Sequence, residues 1–323
     1  MLWQSGKGDD GLYGYADGHC DSIVRQFERN QELLKNDGHI DLERLESFDA
    51  PLQFFALWLE PKYYPIAMRQ TMNYIDFFES QLEKNKGRIG LIRGYEDILE
   101  NKRAKKMSAL LAIEGGEALE GEISAIRTYY RLGVRAMTLT WNHRNALADG
   151  VAEEVSGGGL TRFGRKAIKE MERLGMLVDV SHLGEAGFWD VVKLAQKPFI
   201  ASHSNAREIC NVPRNLWDNQ LRAVARSGGV VGINLYGPFL AKGRAAETED
   251  ILRHIAHMIS VMGEDSIALG TDFDGIDQMP IGMRDILDME KVFGCIEKEF
   301  GQETAKKIFS DNLLRVLKEV LSA

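Results

Sequence analysis

Short apolar runs alternate with amphipathic stretches along almost the whole chain. The apolar runs predict strands near 15–23, 52–59, 109–113, 134–140, 176–181, 198–202, 229–235 and 266–271. Between them, apolar residues recur at spacings of three and four, the period of one helix face. Leu160, Phe163, Ala167, Met171 and Leu174 form one such stripe, and Ile251, Ile255, Met258 and Ile259 form another. The tail carries a third in Ile308, Phe309, Leu313, Val316, Leu317 and Val320. Helices over 24–36 and 64–86 would elaborate the first two connections. Eight strands alternating with helices predict an α/β chain closed into a (β/α)8 TIM-type barrel, with an open doubly wound sheet as the structural rival. No linker, low-complexity segment or internal repeat interrupts the pattern. Residues 1–323 are therefore expected to form a single catalytic barrel domain with additional N-terminal and C-terminal helices.

Polar residues at the ends of these apolar runs change the picture from fold to chemistry. His19 and Asp21 stand two apart at the end of the first strand, so a strand would aim both to one side. Glu114 ends the run Leu110-Leu111-Ala112-Ile113, where an unpartnered carboxylate is costly to bury. His182 and His203 end two further runs. Either alone reads as a hydrogen-bonded core histidine. At the strand ends of one barrel, the five together read as a metal centre in which Glu114 has an oxygen for each of two ions. Asp272 ends the eighth run and is placed to carry a proton from a metal-activated water to a leaving amine. Asp274, beside Gly275, fits a turn carboxylate better, and Glu117 fits a capping or loop carboxylate.

Other candidates fall away. Gly157-Gly158-Gly159 precedes a helix but lacks the Lys-Ser/Thr pair of a phosphate loop, and reads as a flexible loop. His39 is left without a role. His254 and His257 lie three apart on a helix and read as a solvated or partly buried face, since no third ligand flanks them. The chain has 40 basic and 48 acidic residues, a net charge of -8, and no polybasic run. That balance argues against a nucleic-acid partner. No stretch reaches the roughly 18 uninterrupted apolar residues of a membrane span. Met1–Asp10 holds no apolar core of signal-peptide length, and the C-terminal end carries no hydrophobic anchor signal. Cys20, Cys210 and Cys295 are widely spaced and imply no disulfide framework. A cytoplasmic location without membrane attachment is the expectation.

Several stretches, in order, resemble the membrane dipeptidase (renal dipeptidase) family of zinc peptidases. They are Asp17-Gly18-His19-Cys20-Asp21, Ala112-Ile113-Glu114-Gly115, Leu139-Thr140-Trp141-Asn142-His143-Arg144-Asn145, Asp179-Val180-Ser181-His182, Ala201-Ser202-His203-Ser204, Arg214-Asn215 and Gly270-Thr271-Asp272-Phe273-Asp274-Gly275, with Asp311-Asn312-Leu313-Leu314-Arg315-Val316 near the end. The resemblance implies a metallo-dependent hydrolase barrel with two Zn²⁺ ions per chain. His19 and Asp21 would hold one ion, His182 and His203 the other, and Glu114 would bridge them. By the same resemblance, Asp272 handles the proton and Arg214 grips the substrate carboxylate, a task that suits a bidentate guanidinium. Some members place a substrate-binding histidine where this chain has Trp141; His143, two residues on, is the candidate for that role.

The expected activity is hydrolysis of dipeptides, L,D as well as L,L, by a hydroxide held between the two ions. Mn²⁺ or Co²⁺ could use the same ligands, although the histidine-rich set favours Zn²⁺. Other two-metal hydrolases, acting on cyclic amides, N-acyl amino acids or esters, share such a scaffold, and a non-catalytic metal-bound binding protein is the rival from another class. The resemblance also implies a homodimer. The animal members are secreted, lipid-anchored and disulfide-bonded; this chain looks like a soluble microbial-type relative.

Overall fold

A computed structural model describes residues 14–322. The leader-free start expected at Met1–Asp10 lies outside the described residues. Eight parallel strands form one sheet: β1 (Gly14–Cys20), β2 (Asp49–Trp58), β3 (Ile89–Leu91), β4 (Met107–Glu114), β5 (Val134–Thr138), β6 (Leu177–Asp179), β7 (Val231–Ile233) and β8 (Ile267–Leu269). The order is β6-β5-β4-β2-β1-β8-β7, and β3 pairs with the first residues of β4. Every residue of β4 is buried, as expected of a parallel strand covered on both faces.

Two strand expectations need correction. The run at 198–202 forms no extended strand. It makes single bridges, Asp179 to Ile200 and Ala201 to Val231, and turns away after them. It is nevertheless hydrogen-bonded on both sides. Ile200 N–H donates to Val178 O and Ala201 N–H to Val230 O, while Val180 N–H donates to Ile200 O. Its neighbours are glycines for a reason: a Cβ on Gly232 or Gly270 would come within 1.9 or 1.8 Å of the Ser202 carbonyl oxygen. Conversely, the three-residue β3 was not anticipated, because Ile89–Leu91 is too short to show a period.

The helix expected over 24–36 is Ser22–Arg29, stopped by Asn30 in the left-handed conformation, φ 51°. The helix expected over 64–86 starts at Ala67, after a 3-10 turn that contains Pro65, and runs to Lys84. The stripe beginning at Leu160 becomes the helix Arg162–Leu174, capped by the Thr161 hydroxyl accepting from Gly164 N–H. The preceding Gly157 adopts φ 63° in a loop, in keeping with its expected role.

The apolar residues sort into a large cluster between sheet and helices and a smaller one on the other face of the sheet. The smaller takes Ala16, Phe54, Ala112, Ala136, Ile200 and Ala268 from segments right around the curl, and Leu313, Leu317 and Val320 of the last helix. The functional side chains gather at the C-terminal ends of the strands: His19 is the penultimate residue of β1 and Glu114 the last of β4.

Candidate metal centre

Glu114 is the hub. Its Oε2 lies 3.5 Å from His19 Nε2, while its Oε1 lies 3.0 Å from His182 Nε2 and 3.6 Å from His203 Nε2. His19 Nε2 is also 3.5 Å from Asp21 Oδ2 and 3.9 Å from Asp272 Oδ1. The rings of His19 and His203 stack with centroids 3.8 Å apart, and the Nε2 atoms of His182 and His203 approach to 2.9 Å. All five residues are buried, and Asp272 is nearly so.

Electrostatics divides the cluster. Burial works against charge on His19, but the Glu114 and Asp21 carboxylates outweigh it and raise its pKa well above the usual imidazole value. Burial pushes Asp21 up to about 6 and Asp272 up to about 7, with neighbouring carboxylates adding to both. Glu114 moves the other way: His19 and His182 overcome its burial and hold its carboxyl well below the usual range. Burial, with Arg214 nearby, pushes His182 down to about 4, and His203 is also well below its ordinary value. Three carboxylates and three imidazoles buried together are costly unless cations join them.

The donor set fits divalent metal. His19, Glu114 and His203 offer ligand atoms within 4.8 Å of one another, as do His19, Asp21 and Asp272. His19 Nε2 and Asp21 Oδ1 are buried without a hydrogen-bond partner, which is how a ligand atom waiting for an ion should look. His182 and Asp272 hold φ 64° and 63°, backbone strain of a kind that gathers at functional sites.

The rest of the site builds around this hub. A cavity of about 540 Å³ opens over it, lined by Asp21, Glu114, His182 and Asp272 and walled by Trp58, Trp141, Tyr236 and Phe239. Arg214 is buried beside it; its Nη2 donates to His203 O, and its Nε has no partner. Burial pushes its guanidinium down to about 10. The expected substrate contact His143 is half-exposed, 3.7 Å from Glu153, and lies outside the cavity lining, whereas Trp141 and Asn142 are part of it. Glu117 sits in the 3-10 turn Gly116–Leu119, a loop carboxylate whose pKa burial raises. Asp274 serves the turn expected of it by accepting from His39 N–H and from the Ser22 hydroxyl.

His254 requires a correction. It is fully buried rather than on a solvated face, because the helix Thr248–Met262 packs it inward, where its Nδ1 accepts from Ala206 N–H and its Nε2 meets Leu240 O. His257, partly buried, pairs with Asp218 at 2.7 Å. Sequence reasoning assigned no role to Asn142, Asn234, Asp17 or Asp179. Asn142 Oδ1 lies 2.8 Å from His182 Nδ1, and Asn234 Nδ2 donates to Asp272 Oδ2 at 2.9 Å. The available signal was position, since Asp17 and Asp179 each stand two or three residues before a metal-ligand candidate.

A curled parallel α/β sheet with imidazoles and carboxylates converging at its strand ends defines a metallohydrolase. The chain belongs to the membrane dipeptidase family, peptidase family M19, which matches residues 14–323. It is accordingly a metallopeptidase. An uncharacterised Klebsiella pneumoniae protein from the region 5′ of pqqA is 38% identical over 244 residues, 72% of this chain and 90% of that protein. Dipeptidase tcpJ of Claviceps purpurea is 30% identical over 331 residues, 96% of this chain and 78% of that enzyme. Among solved structures, the family M19 metallopeptidase dipeptidase AC superposes with a TM-score of 0.89 at 28% identity, covering 96% of this chain and 99% of that one. A Rhodobacter sphaeroides metallopeptidase, liganded with a phosphinate mimic of L-Ala-D-Ala, gives 0.87 at 26% identity with the same coverage. No helix among the described residues is long and apolar enough to cross a membrane.

Proposed function

We propose that this protein hydrolyses the peptide bond of dipeptides, L,D as well as L,L, at a centre of two divalent metal ions. The observation that carries the reading is the split of Glu114, one oxygen toward His19 and the other toward His182 and His203. His19 and Asp21 would hold one ion, His182 and His203 the other, and Glu114 both. Three imidazoles with carboxylates favour Zn²⁺. When bound, the ions supply an acidified water as nucleophile and polarise the scissile carbonyl.

The chain's own residues do the remaining work. Arg214, with a free Nε and a guanidinium steadied by His203 O, takes the substrate's C-terminal carboxylate and so limits the enzyme to short peptides. Asp272, fixed by Asn234, takes up the proton released by the attacking water and passes it to the departing amine. Trp58 and Trp141, with ring centroids 5.3 Å apart, wall the cavity above Glu114. The scaffold is read as one domain, a closed (β/α)8 barrel, supported by the bridges from residues 200–201 to both β6 and β7.

The test is release of free amino acids from L,L- and L,D-dipeptides, with and without added Zn²⁺ and with a chelator. Metal-dependent cleavage of dipeptides, and not of their C-terminal amides, is the expected result. A protein that carries two Zn²⁺ yet cleaves no dipeptide overturns the substrate assignment.

A further inference from the structure

A buried carboxylate sits behind the His182/His203 side of the centre, and neither metal nor substrate would touch it. Asp179 ends β6 and is 2% exposed. Its Oδ2 accepts from the hydroxyls of Thr138 and Ser202, each at 2.6 Å. Its Oδ1 accepts from Ser181 N–H at 3.0 Å and Ser202 N–H at 2.9 Å. Four donors use all the acceptor capacity of an ionised carboxylate, which has nothing to donate in return. The Ser202 hydroxyl has a single proton, and it is committed to Asp179.

Ser202 Oγ also lies 2.7 Å from His203 Nδ1. With its proton spent, the hydroxyl oxygen can only accept in that contact. His203 must therefore carry its proton on Nδ1, which leaves the lone pair of Nε2 facing Glu114 Oε1 and His182 Nε2. The other tautomer would put a hydrogen where an ion needs a ligand. Asp179 reaches the neighbouring loop too, since the Ser181 amide it holds directly precedes His182.

We propose that Asp179, acting through Ser202, is a positioning residue that locks His203 in its Nδ1–H tautomer and thereby sets the metal affinity of the His182/His203 side. The proposal rests on the reading of His182 and His203 as ligands of one ion. Partners behind a ligating histidine commonly contribute 10–100-fold in metal affinity.

The experiment uses the full chain and two readouts besides activity. The first is the imidazole ¹⁵N spectrum of the metal-free protein, with His203 assigned by comparison with His203→Asn. The second is a competition titration with Zn²⁺ against a chromophoric chelator. In the wild type, His203 should show a protonated Nδ1 and two Zn²⁺ should bind. In Ser202→Ala the tautomers should mix, and one Zn²⁺ equivalent should weaken roughly 10–100-fold while the other is unchanged. Asp179→Asn should do the same, and Ser202→Thr, which restores a hydroxyl, should recover affinity. Ser202→Ala carries the test alone if Asp179→Asn fails to fold. Wild-type affinity at both equivalents in Ser202→Ala, or an Nε2–H tautomer in the wild type, overturns the proposal. If His203→Asn itself binds two Zn²⁺ with wild-type affinity, the ligand assignment falls, and the proposal with it.

Discussion

The two sides of the centre are built on one plan and finished differently. Each has a buried aspartate that ties neighbouring segments together behind the candidate ligands. Asp17 accepts from Thr271 N–H, the Thr271 hydroxyl, Gln53 and Tyr15, and so joins β1 to β2 and to the segment after β8. Asp179 joins β5, β6 and the 200–204 segment in the same way. From there they diverge. Asp17 reaches His19 only through a long contact to its backbone N–H, 3.4 Å, whereas Asp179 reaches the His203 ring through the Ser202 hydroxyl. The His182 ring is likewise held at Nδ1 by Asn142. Carboxylates crowd His19 and raise its pKa, while burial lowers those of His182 and His203. One side is set by charge and the other by hydrogen bonds to neutral rings. An ion on the first side would relieve carboxylate repulsion; with the proposed tautomer, an ion on the second would meet lone pairs already aimed.

Glu114 belongs to both sides, so its loss should erase the distinction. Glu114→Gln removes the charge that both sides share, and turnover should fall by roughly 10³-fold, the scale of losing a main electrostatic contributor. Metal analysis should show both equivalents weakened. A variant that keeps one tight ion would mean that Glu114 serves a single side. Arg214→Ala should act on substrate alone. Removing one partner of a buried charge pair costs about 2–5 kcal/mol, so kcat/KM for dipeptides should fall at least 30-fold with metal content unchanged. Unaltered kcat/KM would remove the carboxylate clamp from the mechanism.

In the metal-free protein the two sides should respond to pH in opposite senses. His182 has a folded pKa near 4, below the usual 6.5. The unfolded chain therefore takes up that proton first, and this side loses stability as pH falls from about 6.5 toward 4. Asp272 has a folded pKa near 7, above its ordinary 3.8. The folded state holds that proton longer, so this side loses stability as pH rises from about 4 through 7. Asp272→Asn removes the carboxylate penalty. It should stabilise the metal-free protein at pH 8 by roughly 2–4 kcal/mol, with the gain shrinking toward pH 4. Thermal melts at both pH values check this, and equal gains at pH 4 and pH 8 would contradict it. Added Zn²⁺ should cancel the gain, because an ion beside the ionised carboxylate supplies the compensating positive charge.

The candidate ligands that the structure brings together were legible in the sequence and their supporting partners were not, for physical reasons. His19, Glu114, His182 and His203 each end an apolar run, and a charged or titratable group where a buried strand stops is a local signal. Asn142, Asn234 and Ser202 are ordinary polar residues in loops, and their roles depend on which strand ends the curl brings side by side. The 198–202 run read as a strand because Phe199, Ile200 and Ala201 are apolar, yet its pairing is only two bridges before the chain turns to present His203. Apolar character in sequence reports burial, not the length of a ladder. His254 misled for the converse reason: a histidine on an amphipathic helix looks solvent-facing until the loop carrying Ala206 and the turn at Leu240 pack against it.

The smallest expected effect separates the two ways of holding a ring. Asn142→Ala deletes the amide oxygen 2.8 Å from His182 Nδ1 but leaves Asp179, Ser202 and all five ligand candidates in place. If the second side depends on hydrogen-bonded rings, its Zn²⁺ affinity should fall about 10-fold, the lower end of what such partners contribute. The first side has no bond to Asn142 and should be unchanged. Asn142→Asp restores an acceptor at the same reach and should recover affinity, although its charge will raise the pKa of His182. An equal loss at both equivalents in Asn142→Ala would mean that the two ions share one support, and the contrast between a charge-set side and a hydrogen-bond-set side would fail.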